Sequence, residues 1–209
     1  MEVCDEFFLT QKAQILKGLS STIRTREELD EFEHEIYKGL QAVLLPYSTY
    51  SLINESYNRI RKIVELYLEH IVSMAIEICN DRRNELVPLL FLPIDSWIMG
   101  KELIFDDYTL ARWGLKRNSS FGAIRSKALF DDMQRYLVKR AQKISAELST
   151  DFYVIYFDIF WNNRLESPGN NLFGEMWLDN QVKDKIYSGK PVPVNNAKNI
   201  LSIFARNYH

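Results

Sequence analysis

Six apolar residues, Phe130, Met133, Leu137, Ala141, Ile144 and Leu148, recur at steps of three and four through an otherwise polar stretch. Only an α-helix puts such a set on one side, because its 3.6-residue turn returns to the same face every third or fourth position. This stripe fixes the fold class. It predicts a helix after the start signal Asn118-Ser119-Ser120, and the chain must supply other helices with apolar faces to cover it.

Two such partners are legible. Thr25-Arg26-Glu27-Glu28 has the form of a capping box, in which the threonine hydroxyl accepts from the amide that Glu28 occupies. Leu29, Phe32, Ile36, Leu40, Val43 and Leu44 then mark an apolar face that Pro46 closes. A longer helix is expected next, from a cap at Ser51 or Asn54 to a polar break over Asn80 to Asn84. Its face is Ile60, Val64, Tyr67, Leu68, Ile71, Ala75 and Ile78. From Leu86 to Gly114, Pro88, Pro93 and Gly100 cut an apolar stretch into short helical pieces, which reads as buried connecting structure.

The pattern changes near Thr150. Asp151 to Trp161, DFYVIYFDIFW, is dense in aromatic and β-branched residues and reads as a buried strand. Its intrachain partner would be Lys190 to Val194, where Pro191 and Pro193 restrict the segment to a sheet edge; a partner chain is the alternative. A short last helix is expected from Asn195 to Arg206. The fold class is therefore mainly α: a helical bundle over residues 1–150, with a small C-terminal α+β appendage over 151–209 rich in aromatics such as Trp161, Phe173, Trp177, Tyr187, Phe204 and Tyr208.

A chain of 209 residues can bury such a core without covalent staples. Cys4 and Cys79 have no metal-ligand spacing and are too few for a disulfide scaffold, so a reducing, intracellular compartment is expected. The acidic start Met1 to Glu6 is unlike an export signal. The apolar stretch between Glu85 and Asp95 is interrupted by prolines and far below the roughly 20 residues a membrane helix needs, so no membrane association is expected.

Charge is polarised along the chain. The net value of −2 hides a segment from Thr109 to Ile144 with nine basic residues against Asp131 and Asp132. Residues 1–57 instead carry ten acids and five bases. Arg125, Arg135, Lys139 and Lys143 fall opposite the apolar stripe, and with Lys116 and Arg117 they form a candidate surface for phosphates or for an acidic partner. The turn from Trp113 to Ser120 suggests a helix-turn-helix, although the usual glycine-to-apolar spacing is not reproduced. Glu27, Glu31 and Glu35 line up at four-residue steps and form a candidate surface for a basic partner, either another protein or the chain's own basic helix.

Catalytic constellations are incomplete. Glu31-x-x-His34 has the spacing of carboxylate-bridged metal sites in helical bundles, but a second matching pair is missing: Glu69 and His70 are adjacent and His209 is terminal. Asp158, with Glu166 or Glu175, lacks the acid-x-Lys step of metal-dependent nucleases and is expected to face solvent or cap a turn. Ser167 to Asn171 reads as a turn, and Ser188-Gly189-Lys190-Pro191 lacks the glycine and Ser/Thr of a phosphate loop. No Gly-x-Ser-x-Gly elbow occurs. Cys4 is read as lying in a frayed terminus and Cys79 as an inert helical thiol. No catalytic residue, metal or cofactor is assigned. The expectation is a non-catalytic adaptor or assembly subunit that binds another protein, a second copy of itself among the candidates, through its charged helix faces and aromatic C-terminal region. Nucleic-acid binding through the basic helix 120–148 is the alternative, and a metal-dependent enzyme a distant third.

Overall fold

Seven helices account for most of the residues described by the computed structural model, which are 2–47, 55–102 and 104–158. Helix α1 spans Glu2–Ser21 and α2 spans Arg26–Leu44. After them come α3, Tyr57–Met74, and the short α4, Asn80–Leu86. Two further short pieces follow, α5 (Ser96–Met99) and α6 (Asp107–Arg112), and then the long α7, Lys127–Leu148. No strand occurs among the described residues.

The described residues divide into two compact units, one formed by those up to Asp95 with Ser119–Tyr136, the other by those of Ser96–Asn118 with 137–158. In the first unit α2 packs against both α1 and α3. Phe8, Ile15 and Leu19 of α1, Leu29 and Leu40 of α2, and Ile60, Val64, Leu68 and Val72 of α3 are buried there. The ring of Phe8 stacks on Tyr67 with centroids 3.9 Å apart. The capping box forms as expected: Glu28 N donates to Thr25 Oγ1 at 3.2 Å, and Thr25 N donates to Glu28 Oε2 at 3.0 Å. Those backbone donors, from Arg24 and Thr25, hold the Glu28 carboxyl below its ordinary range.

Several helix limits differ from the sequence expectation, each for a tertiary reason. Cys4 lies within α1, where a frayed terminus was expected, because Phe8, Ile15 and Leu19 anchor that helix. The buried side of α2 is Leu29, Glu33, Ile36, Tyr37 and Leu40; Val43, assigned to the apolar face, is 38% exposed. Helix α3 stops at Met74 rather than Ile78, and Asn80 to Asn84, expected as a break, begin α4. Cys79 is therefore exposed ahead of a helix, not buried within one.

Two adjacent arginines explain that break. Arg83 donates from Nε to Val72 O at 2.7 Å and from Nη2 to Ala75 O, satisfying carbonyls at the end of α3. Arg82, buried, donates from Nε to Leu19 O at 2.6 Å and from Nη2 to Ile23 O, doing the same at the end of α1. The start of α3 is held by another segment: Tyr57 N donates to Arg125 O and Asn58 N to Ile124 O, both at 3.2 Å. The fully buried Asn58 side chain donates to Ile94 O at 2.7 Å and to Phe121 O at 3.2 Å. Ser120 caps the short turn Phe121–Ala123 rather than α7, whose Leu129 amide is instead received by Ser126 Oγ at 3.2 Å.

In the second unit Ile98, Met99, Phe105, Leu110, Leu137, Ile144 and Phe157 are buried. The helix-turn-helix reading does not hold, because residues 113–126 separate α6 from α7 where that motif has a turn of about three or four residues. The expected strand is likewise overturned over its described part: Val154–Asp158 form a 3₁₀ helix with all five residues buried. Four of its five residues are apolar or aromatic, so a tight turn buries the segment whole without a sheet partner. Phe152 N donates to Ser145 Oγ at 2.8 Å, tying the turn to α7. Asp158, expected to face solvent or to cap a turn, does not face solvent: it is only 4% exposed, at the end of this 3₁₀ helix. Residues 159–161, Lys190 to Val194, the final helix at 195–206 and the aromatics from Trp161 onward lie outside the described residues. No described helix is long and apolar enough to cross a membrane.

Candidate functional site: charged helix faces and a buried ion cluster

Along α2, Glu27, Glu31 and Glu35 are all exposed, one helical turn apart. Glu35 pairs with Lys38 at 2.5 Å, an exposed contact of small energetic weight. Beside this row lies an open groove of about 470 Å³, with Ile23 and Phe32 as its apolar lining and Glu28, Glu31, Glu35 and His34 as its polar one. Burial, with the charges of Lys38, Lys127 and Arg61, pushes the His34 imidazole below its ordinary value, and its ring lies parallel to Tyr37 at 5.7 Å. It is therefore neutral at pH 7. Glu31 and His34 do share a side of α2, yet no group of three or more His, Cys, Asp or Glu among the described residues is placed to hold a metal ion.

The basic candidates separate into two kinds. Lys116, Arg125, Arg135, Lys139 and Lys143 are exposed, and the last three follow one another at four-residue steps on α7. Arg135 pairs with Asp132, and Lys143 lies 4.0 Å from Glu147, so part of their charge is met locally. Arg117 is structural: it binds Asp107 at 2.7 Å and donates to the carbonyls of Gly100 and Phe105. The glutamate row and the basic row are both open to solvent. The charged tie between α2 and α7 runs instead through Lys127, 2.6 Å from Asp30 and 2.9 Å from Asp131.

The most densely charged place is interior. Arg61 of α3 is fully buried, and it binds Glu33 of α2, Asp30 at 3.0 Å and Glu65 at 3.5 Å. It also contacts Tyr57 Oη at 3.4 Å and lies 5.1 Å from the ring centre of Phe91 and 5.2 Å from that of Phe130. Arg26 sits over Phe91 at 4.3 Å and donates to Gln134 Oε1 at 3.4 Å. Burial lowers the Arg26 guanidinium to about 10, against the pull of Glu33 and Glu65, so it stays charged at neutral pH. Burial also lifts the Glu33 carboxyl to about 7, with Arg61 pulling it back, and lifts the Glu65 carboxyl well above its ordinary value.

Glu33, Arg61 and Glu65 were missed in the sequence, but a signal existed. Glu33 is in register with Leu29, Ile36 and Leu40, and Arg61 and Glu65 with Val64 and Leu68. Charges of opposite sign at core positions of two neighbouring helices mark a buried pair. A second groove, also about 470 Å³, is bordered by Lys12, Tyr67, His70, Ile71, Met74 and Ile76. Ile76 there is 91% exposed, and Lys12 meets Glu77 at 3.7 Å on its edge.

Comparison with protein-family models, with curated proteins and with solved structures finds no match to this chain.

Proposed function

We propose that the chain is an adaptor or assembly subunit that holds a basic helical segment of another protein against the acidic side of α2. The observation that carries this reading is the row Glu27, Glu31 and Glu35, exposed at four-residue steps beside a groove lined by Ile23 and Phe32. A helix with Lys or Arg at every fourth position matches that row in pitch and charge, and its apolar side matches the groove lining. Like charges stacked along α2 cost a few tenths of a kcal/mol per pair, roughly, which a basic partner removes.

A fluorescent amphipathic peptide with lysines at that spacing tests the reading by anisotropy at two salt concentrations. Saturable binding that weakens with salt is expected, because surface pairs are screened over about 10 Å at 0.1 M. The double variant Glu31→Lys/Glu35→Lys should lose about tenfold in affinity. No saturation at low salt, or equal binding by the variant, overturns it.

A second reading, nucleic-acid binding, is favoured by Arg135, Lys139 and Lys143 exposed in sequence along α7. It requires retention of duplex or single-stranded probes on filters at low salt, with a steep loss as salt rises. It also requires Lys139→Glu to weaken that retention. An absence of retention at low salt ends this reading.

A further inference from the structure

We propose that Glu65 is a proton-binding site, its side chain held as the neutral acid at pH 7 inside the contact between α2 and α3. The inference is independent of the docking reading above.

The geometry comes first. Glu65 is 2% exposed, and Glu33 is 1% exposed, so both carboxylates are removed from bulk solvent. Both lean on one guanidinium, that of Arg61, but not equally: Glu33 makes the close contact, whereas Glu65 reaches it with Oε1 at 3.5 Å. The other oxygen, Oε2, is buried and receives no hydrogen bond. An ionised carboxylate with a bare, buried oxygen is among the most expensive arrangements a protein interior can hold.

Charge in the cluster points the same way. The groups acting on Glu65 are Arg61 and Tyr57 on α3 and Arg26 and Glu33 on α2. Asp30 on α2 joins them through Arg61, and Lys127 and Asp131 on α7 through Asp30. With the exposed Glu27 left to solvent, the cations Arg26, Arg61 and Lys127 meet four carboxylates, Asp30, Glu33, Glu65 and Asp131, and one negative charge is left over. Asp30 and Asp131 keep part of their surface in water and share Lys127, so the excess does not reside there. A single proton on Glu65 makes the cluster neutral and removes the charge from the bare oxygen. It also reconciles two opposite tendencies. Burial tends to lower the Arg61 guanidinium, but Glu33 and the other carboxylates raise it, while burial raises both glutamic acids. One ionised partner, Glu33, keeps the arginine charged, and the neutral one relieves the pair.

The sign of the pH dependence follows. A carboxyl whose folded value lies above its unfolded value of about 4.3 takes up a proton on folding at pH 7. Stability is then lost as pH rises from the unfolded value towards the folded one. One proton corresponds to a tenfold change in the unfolding constant per pH unit.

The test compares the full chain with Glu65→Gln, which copies the neutral acid in shape. Between pH 6 and pH 8 the unfolding constant of the parent should rise about tenfold more per pH unit than that of the variant. In infrared spectra at about pH 8, above the value to which burial lifts Glu33, the folded parent should show the carbonyl stretch of a protonated carboxyl, absent from Glu65→Gln and present in Glu33→Gln. Parallel stability curves overturn the proposal. So does a spectrum of the folded parent without that band, which needs no variant to fold, or a band that survives in Glu65→Gln.

Discussion

Replacing Arg61 by methionine keeps most of the side-chain volume and removes only the guanidinium. The substitution leaves Glu33 and Glu65 facing each other in the core without the cation that both contact, and it removes the charge lying about 5 Å from the ring centres of Phe91 and Phe130. Glu65 already carries a proton, so the variant leaves Glu33 as a buried carboxylate without that cation, and folding must add a second proton, on Glu33. Removing one partner of a buried pair costs roughly 3–5 kcal/mol. For a chain of this size that loss corresponds to a fall in Tm of about 8–15 °C. In the parent Glu33 is lifted only to about 7, so it ionises above that pH. The variant must instead keep it neutral, at about 1.36 kcal/mol for each further pH unit. Urea denaturation followed by circular dichroism at about pH 6 and about pH 8.5 should therefore show a loss larger by about 2 kcal/mol at the higher pH. Converting the whole site to an apolar one, Arg61→Met with Glu33→Leu and Glu65→Leu, should regain most of the stability. A single variant that loses under about 1 kcal/mol at neutral pH, or equally at both values, refutes this account of the core.

Arg82→Ala leaves the carbonyls of Leu19 and Ile23 without their donors and should cost about 2–4 kcal/mol in chemical denaturation, with α1 the first element to lose amide-exchange protection. At Gly18 an added Cβ would lie 2.6 Å from the Phe32 ring, so Gly18→Ala should cost about 1–3 kcal/mol by overpacking, and Phe32→Leu in the same chain should recover part of it. Gly114 has φ +69° with open space where a methyl group would sit, so Gly114→Ala should cost about 1–2 kcal/mol through backbone strain alone, and Gly114→Asn less.

Features that local rules determine were readable from the chain. The stripe from Phe130 to Ile144 is the buried side of α7, and the Thr25 capping box closes as its spacing implies. What escaped was tertiary. Helix α1 spreads its anchors, Phe8, Ile15 and Leu19, too thinly among polar residues for periodicity to stand out. Helix α4 has no side-chain cap of its own and looked like a polar break, because its arginines serve the ends of other helices. Val154–Asp158 is rich in strand-forming residues, but burial on all sides decided its conformation against that propensity. Of the candidate surfaces, the alignment of Glu27, Glu31 and Glu35, and of Arg135, Lys139 and Lys143, opposite the apolar stripes was legible from helical spacing; whether the basic row is open to solvent or covered by the acidic one was not. The pairing of Lys127 with Asp30 was not, since a charged residue on a helix reads as solvated unless its register is compared with the apolar one.

The grip of Arg82 on the end of α1 also sets an order of events. Leu19 O receives its hydrogen bond from a residue 63 positions later. A chain released amino-terminal end first can wind α1, but it cannot finish that helix's last turn until α4 has emerged and docked. Because α4 is only seven residues long, it will not persist alone and must form on the surface that it completes. Assembly of the first unit is therefore gated by its smallest helix: a nascent chain cut short before Arg82 should remain sensitive to protease along α1, however well α2 and α3 have paired.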